Sequence, residues 1–323
     1  MYADKCSNAI YFIGRWGFEK DFAQTVSPGA SIEINFEGDY LLLHFNIDFN
    51  QQPFPHLWIC IDNGVMTEVT VDRFIRINTE NLQSSRHTAQ IIFKGAVECQ
   101  ARWYSQLTAK ISFMGAEADG FFEVNTKNRN QIEFIGDSIT EGILIDADRR
   151  NSPIEANNRV YQDDVCASYG WLTARMLNMD FVNCAFGATG TTRAGSGSVP
   201  PADEAYMYNY NGSQITHRQS KYVVINHGTN DAEASAEEYE RKYRMLLKSV
   251  REYNPKAKII AMSPFNGTYE HELERVIEKY NKDMNEKIIF VNSSHWIASE
   301  PLHPMREGHR AAANELTKVI KNL

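Results

Sequence analysis

Cysteine is scarce in this chain of 323 residues: there are five, at Cys6, Cys60, Cys99, Cys166 and Cys184. Their number is odd and no two lie two apart, which excludes a disulfide framework and a zinc ribbon. They read as reduced and mostly packed. Positive charge is in deficit, with 33 Lys and Arg against 41 Asp and Glu for a formal net charge of −8, so nucleic-acid binding by phosphate neutralisation is set aside. No apolar run approaches the roughly 18 residues that a membrane span needs, and no membrane partner is expected. The opening MYADKCSNAI lacks a basic region followed by an apolar stretch. The chain is therefore expected to be cytoplasmic, with secretion open if a leader has been trimmed away. Internal repeats and low-complexity tracts are missing too. What is there is ordinary globular composition, 43% hydrophobic and 23% charged, in a length that suits one or two domains without metal or disulfide staples.

Two rhythms divide the chain. Up to about Val124, short runs rich in β-branched and aromatic residues follow one another between turn signals: SIEINF at 31–36, then YLLLHFNI, LWICID, TEVTVD, AQIIFK and AKISFM. Pro28-Gly29 and Asn63-Gly64 supply turn chemistry, the latter a hairpin signal. With no convincing helix in the stretch, residues 1–125 are expected to form an antiparallel β-sandwich or jelly roll. NTKNRNQ, 125–131, reads as the linker. From 126 to 323 strands alternate with helices. Apolar strands are expected at 132–135, 180–186 and 222–226 and at KIIAM and KIIFV, with helices over 167–177, about 270–286 and from about Arg306. Tyr239, Tyr243, Leu246, Leu247 and Val250 share one face of a helix that stops before Pro255. Such alternation makes an α/β parallel sheet flanked by helices, and ligands then sit at the carboxyl ends of its strands.

Four strand-end loops carry the chemistry. In IEFIGDSITEG, 132–142, an apolar strand runs into Gly136-Asp137-Ser138 and a helix; a serine at such a turn exposes both its hydroxyl and its N–H. The same two polar residues would otherwise merely cap the helix. In NCAFGATGTTR, 183–193, Gly187 and Gly190 can bring backbone N–H groups close to an anion, or simply make a turn. VINHGTND, 224–231, presents Asn230, whose amide can donate to an oxyanion or form an Asx turn. In SEPLHPMREGHR, 299–310, Glu300 precedes His303 by three residues, a spacing that can let a carboxylate hold the imidazole.

In residue, order and predicted position these blocks resemble the SGNH, or GDSL-type, hydrolase family, over about residues 130–323. The resemblance implies that Ser138 is the nucleophile and His303 the general base and then acid. It implies an oxyanion hole of the Ser138 and Gly190 N–H groups and the Asn230 side chain. Glu300 stands where the family usually has Asp, so it either completes a triad or leaves a dyad held by a backbone carbonyl. IYFIGRWGF, SPGASIEINFEG and the IDNG turn are similar to the N-terminal jelly roll of carbohydrate esterase family two, which implies an enzyme that removes O-acetyl groups from sugars.

Further residues have two readings each. Tyr206, Tyr208 and Tyr210 alternate, as a platform for a sugar face or as a packed extended stretch. Trp296 walls the pocket or fills the core. Arg193 reaches a polar substrate group or is simply exposed. His295, Glu300, His303, Glu307 and His309 cluster in sequence, but without HExxH or a cysteine pair no metal is expected. The run from Arg149 to Asn158 reads as a loop insertion. The expected function is a cofactor-free serine esterase acting on small-molecule or oligosaccharide acetyl esters. The alternatives are a general short-acyl esterase, lipase-like acylhydrolase or thioesterase, and an inactive carbohydrate-binding module. A homo-oligomer is among the states the sequence allows.

Overall fold

The computed structural model describes residues 1–147, 159–298 and 300–323, so the expected insertion over 149–158 lies outside the described residues. Up to Phe121 every described strand pairing is antiparallel. One sheet runs Gly17–Phe18, Ala23–Thr25, Ile111–Glu117, Tyr40–Phe45, Phe74–Asn78, with Tyr2–Asp4 also paired to Ile111–Glu117. The other runs Gly120–Phe121, Ser31–Glu37, Arg86–Gly95, His56–Ile61, Thr67–Thr70, with Ile10–Ile13 on Ser31–Glu37. Alternation aims Leu41, Leu43, Phe45 and Phe113 of the first at Ile32, Ile34, Phe36 and Ile91 of the second, in one shared core. Each such side chain contributes about 1.5–3 kcal/mol on leaving water. The hairpin turn falls one residue earlier than expected. Asp62 and Asn63 take the left-handed conformations (φ 52° and 58°), while the Gly64 N–H donates to the Ile61 carbonyl at 2.8 Å; Asp and Asn tolerate that region, so the glycine is not needed inside the turn.

Beyond the linker, five parallel strands lie in the order Asp180–Ala185, Gln131–Gly136, Tyr222–Asn226, Lys258–Met262, Ile289–Val291. Among the described residues the α-helices are α1 (Ser138–Glu141), α2 (Arg159–Gln162), α3 (Tyr169–Met176), α4 (Ala202–Ala205), α5 (Ala236–Tyr253), α6 (Glu270–Met284) and α7 (Arg306–Lys321). The predicted stripe of α5 is buried with Leu273 and Ile277 of α6 on one face of the sheet. Tyr169 and Ala174 of α3 pack with Ala312 and Leu316 of α7 on the other. Ala185, Gly136 and Asn226 are in register, so three strands end level and their loops open onto one crevice beside the first strand, where chain order reverses. No helix among the described residues is long and apolar enough to cross a membrane.

Buried charge joins the two halves. Arg15, from the antiparallel part, meets Glu133 in the middle of a parallel strand at 3.1 Å, and both side chains are fully buried. Burial alone would raise the Glu133 carboxyl, but His217 and Arg15 outweigh it and hold it down at about 2. Lys94 donates to the carbonyls of Val160 and Asp163, each at 2.7 Å. Arg102 pairs with Glu141 of α1, again with both side chains out of water.

Candidate active site

Ser138 is set at the mouth of the crevice by its neighbours. A Cβ on Gly136 would fall 2.1 Å from the Thr140 hydroxyl oxygen, so the glycine leaves room for the Thr140 side chain of α1 against the strand end. Asp137 caps that helix, its Oδ1 accepting from the Ile139 N–H at 3.0 Å; it is fully buried, and burial pushes its carboxyl up to about 7. His303 lies in the connection from the last strand to α7, which returns to the centre of the sheet from its edge. There its Nε2 meets Ser138 Oγ at 2.9 Å. Burial lowers the pKa of His303 below the ordinary 6.5, so the ring is neutral near pH 7 and its Nε2 can accept the serine proton.

The second and third loops are locked together. Asp231 Oδ1 accepts from the N–H and hydroxyl of Thr192, both at 2.6 Å, and its Oδ2 accepts from the Thr191 N–H at 3.1 Å. Asn230 donates one amide hydrogen to the Thr189 carbonyl at 3.1 Å, which leaves the other. The Gly187 N–H donates to Glu141 at 2.7 Å. Gly190 departs from its expected part. Its N–H donates to the Arg193 carbonyl at 3.0 Å, and its lack of a side chain serves Asp231 instead, since a Cβ would come 2.4 Å from Oδ1. In the first and second loops the N–H groups of Ser138 and Ala188 donate to no acceptor among the described residues. Ala188 is held left-handed at φ 58°, a conformation that costs a non-glycine residue on the order of 1 kcal/mol or more and tends to mark functional loops.

Glu300 is exposed, and no hydrogen bond or ion pair joins it to His303 among the described residues. A Ser138–His303 pair without a touching acid is the arrangement of a dyad.

The GDSL-like lipase/acylhydrolase family model matches residues 134–311, more than half of the chain. The chain belongs to that family. It is also similar to an acetylxylan esterase / glucomannan deacetylase of Cellvibrio japonicus, 24% identical over 97% of this chain and 88% of that protein. A family two carbohydrate esterase from Cellvibrio japonicus shares the fold with a TM-score of 0.82 at 19% identity, over 100% of this chain and 97% of that one. One from Clostridium thermocellum, solved in complex with cellohexaose, does so with a TM-score of 0.77 at 22% identity over 97% and 98%. At these identities the structural likeness is one of fold, and it takes in the antiparallel part as well as the hydrolase sheet.

The remaining residues singled out from the sequence are spread through this GDSL-type molecule. Tyr206 is wholly buried, its hydroxyl donating to Glu133 at 3.0 Å, and Tyr210 donates to Glu19 at 2.9 Å. Tyr208 is half-buried, edge-on to Trp103 at 6.4 Å. Tyr206 and Tyr210 are thus committed to packing and hydrogen bonds, while Tyr208 keeps part of its surface exposed. Trp296 lies against the α3–α7 core, in a groove shared with Met176, Glu315 and Lys318, rather than against Ser138. The Arg193 side chain is exposed. His309 is buried with its Nδ1 accepting from the Tyr169 N–H at 3.0 Å, so the histidine cluster of the sequence disperses. No group of three or more His, Cys, Asp or Glu among the described residues is arranged for a metal ion. Sequence reasoning missed Ala188, Glu98 and Arg159. Glu98, in the connection between the Arg86–Gly95 and Ile111–Glu117 strands, pairs with Arg159 at 2.5 Å.

Proposed function

We propose that the protein is a serine esterase that removes O-acetyl groups from carbohydrates through an acyl-enzyme. The observation that carries this is the 2.9 Å hydrogen bond between Ser138 Oγ and His303 Nε2 at the strand-end turn of a GDSL-type sheet. As Oγ attacks the acetyl carbonyl carbon, its proton passes to Nε2. The N–H groups of Ser138 and Ala188 and the spare Asn230 amide hydrogen stabilise the oxyanion. His303 then gives the proton to the departing sugar oxygen. Water, with His303 again as base, attacks the acetyl-serine and frees acetate. Carbohydrate as substrate is supported by the relatives, one an acetylxylan esterase / glucomannan deacetylase and another a family two carbohydrate esterase in complex with cellohexaose. In this reading residues 1–125 are a jelly-roll domain supporting a catalytic domain of 126–323.

The test is acetate release from acetylated mono- and oligosaccharides, compared with aryl esters of increasing acyl length. Preference for acetylated sugars is the expected result. Turnover confined to aryl esters, and rising with acyl length, would make the protein a general acylhydrolase instead. Asn230→Ala is expected to lower kcat by about 10²- to 10³-fold with a much smaller change in KM, since its free hydrogen matters most once the oxyanion forms. Full activity in that variant would remove Asn230 from the oxyanion hole.

A further inference from the structure

His303 lacks a touching carboxylate, yet two charges bear on it. Burial is the largest influence on the ring and lowers its pKa; after it come two groups from outside its own loop, Glu98, carried by the antiparallel part, which acts upward, and Arg159 of α2, which acts downward. The two form an ion pair, Arg159 Nη1 to Glu98 Oε1 at 2.5 Å, with side chains 26% and 18% exposed. The carboxylate is built into the site rather than resting at its rim. Its Oε2 would lie 2.0 Å from a Cβ on Gly187, so the glycine is what admits it. The next link is the Gly187 N–H, bound at 2.7 Å to Glu141, one helical turn from Ser138. The Glu98 carbonyl accepts from Arg102 at 3.2 Å, which fixes the segment at its backbone.

The other groups around the ring do not take this part. Ser138 is its hydrogen-bond partner, and Glu300 is exposed. On α7, Arg306 is tied to Asp146 and Asp164 at 2.5 and 2.8 Å, and burial pushes His309 down to about 3, so it is neutral.

We propose that Glu98, poised against Arg159 and Gly187, is a positioning residue for His303: a carboxylate supplied by the other half of the molecule that stabilises the imidazolium through space. The inference rests on the esterase reading. As Ser138 Oγ bonds to the acyl carbon, its proton moves to Nε2 and the ring becomes a cation. The Glu98 charge favours that state without a hydrogen bond, and Arg159 tempers the charge so that the ring is still neutral before reaction.

The two members of the pair predict shifts of opposite sign. Glu98→Gln removes the negative charge, lowers the His303 pKa and moves the acid limb of kcat/KM for an aryl acetate to lower pH. Its plateau falls about tenfold, on the order of what one unit charge exerts across a partly dehydrated site. Gly187→Ala, whose methyl takes the place of Oε2, moves the limb the same way. Arg159→Gln moves it to higher pH. The His303 ring, followed by NMR titration in the same full-length variants, needs no substrate and must shift in the same directions. Lower rates with the limb and the ring titration in place would make the pair merely structural and overturn the proposal. If the ring titration shifts but no ester is turned over, the esterase reading fails and the electrostatic coupling stands.

Discussion

Ser138→Ala is expected to lower kcat/KM on any ester substrate by on the order of 10⁵- to 10⁶-fold while leaving the protein folded. The size follows from the step removed: without Oγ there is no acyl-enzyme, and the loss approaches that of dismantling the whole serine–histidine unit. What survives comes from the oxyanion donors, which still polarise a bound carbonyl toward water. Stability is expected to change little, because the hydroxyl makes one hydrogen bond, to His303, and such a bond is worth about 0.5–1.5 kcal/mol net. Alanine also suits the first position of a helix. Rates with an aryl acetate, set beside the urea unfolding midpoint, check both parts. A folded variant retaining more than a few per cent of wild-type turnover would mean that another group is the nucleophile.

Arg102→Met is expected to cost about 3–5 kcal/mol of stability near neutral pH, the usual effect of removing one partner of a buried ion pair. The guanidinium meets Glu141 with both side chains out of water. Burial already raises the Glu141 carboxyl above its ordinary 4.5, and Arg102 is the largest influence holding it down. Without the arginine the folded-state value rises further. A group shifted upward contributes stability below its unfolded pKa and loses it as pH climbs through the folded one, so the defect should be smaller near pH 5 than near pH 8. Turnover should fall with stability, since the Glu141 Oε2 holds the Gly187 N–H at 2.7 Å and with it the second loop. Glu141→Gln added to Arg102→Met should cost less than the sum of the single changes, because no lone charge is left buried. Additive urea-unfolding energies, with the same loss at both pH values, would mean that the pair acts only as packing.

The strand-turn-helix around Ser138 and the final histidine were legible because local pattern fixes them: an apolar run, a glycine, a capping acid and then a helix. Gly190 was legible as a glycine but not as a role. Spacing cannot tell whether a missing Cβ frees an N–H for a ligand or makes room for a carboxylate, and here it makes room for Asp231. Ala188 gave no signal, since its left-handed backbone is imposed by the surrounding loop and alanine does not advertise it. The alternating tyrosines were ambiguous for a related reason: period two says which side chains share a face, and the partner decides whether that face is wet. The Phe74–Asn78 strand escaped notice because its side chains are exposed or only half-buried, leaving little apolar contrast. Glu98 and Arg159 lie 61 residues apart in the chain and meet only through the packing of one half on the other.

The order in which the chain is made gives that packing a meaning of its own. The antiparallel half leaves the ribosome first, carrying Arg15 and Arg102, whose acids are Glu133 and Glu141, and Lys94, which keeps Glu68 but waits for the carbonyls of Val160 and Asp163. Until about 40 further residues have emerged, three cations destined for the interior lack partners they will need there. The early half can pair its strands and collapse its core, but it cannot close its lower surface. Contacts so distant in sequence are costly to form early and slow the final step. Nascent chains should therefore linger in an open form, protected from exchange in the sandwich core and unprotected at the seam, until the hydrolase strands dock. A β half released alone would keep that seam exposed, so the two halves are successive stages of one folding reaction rather than interchangeable modules.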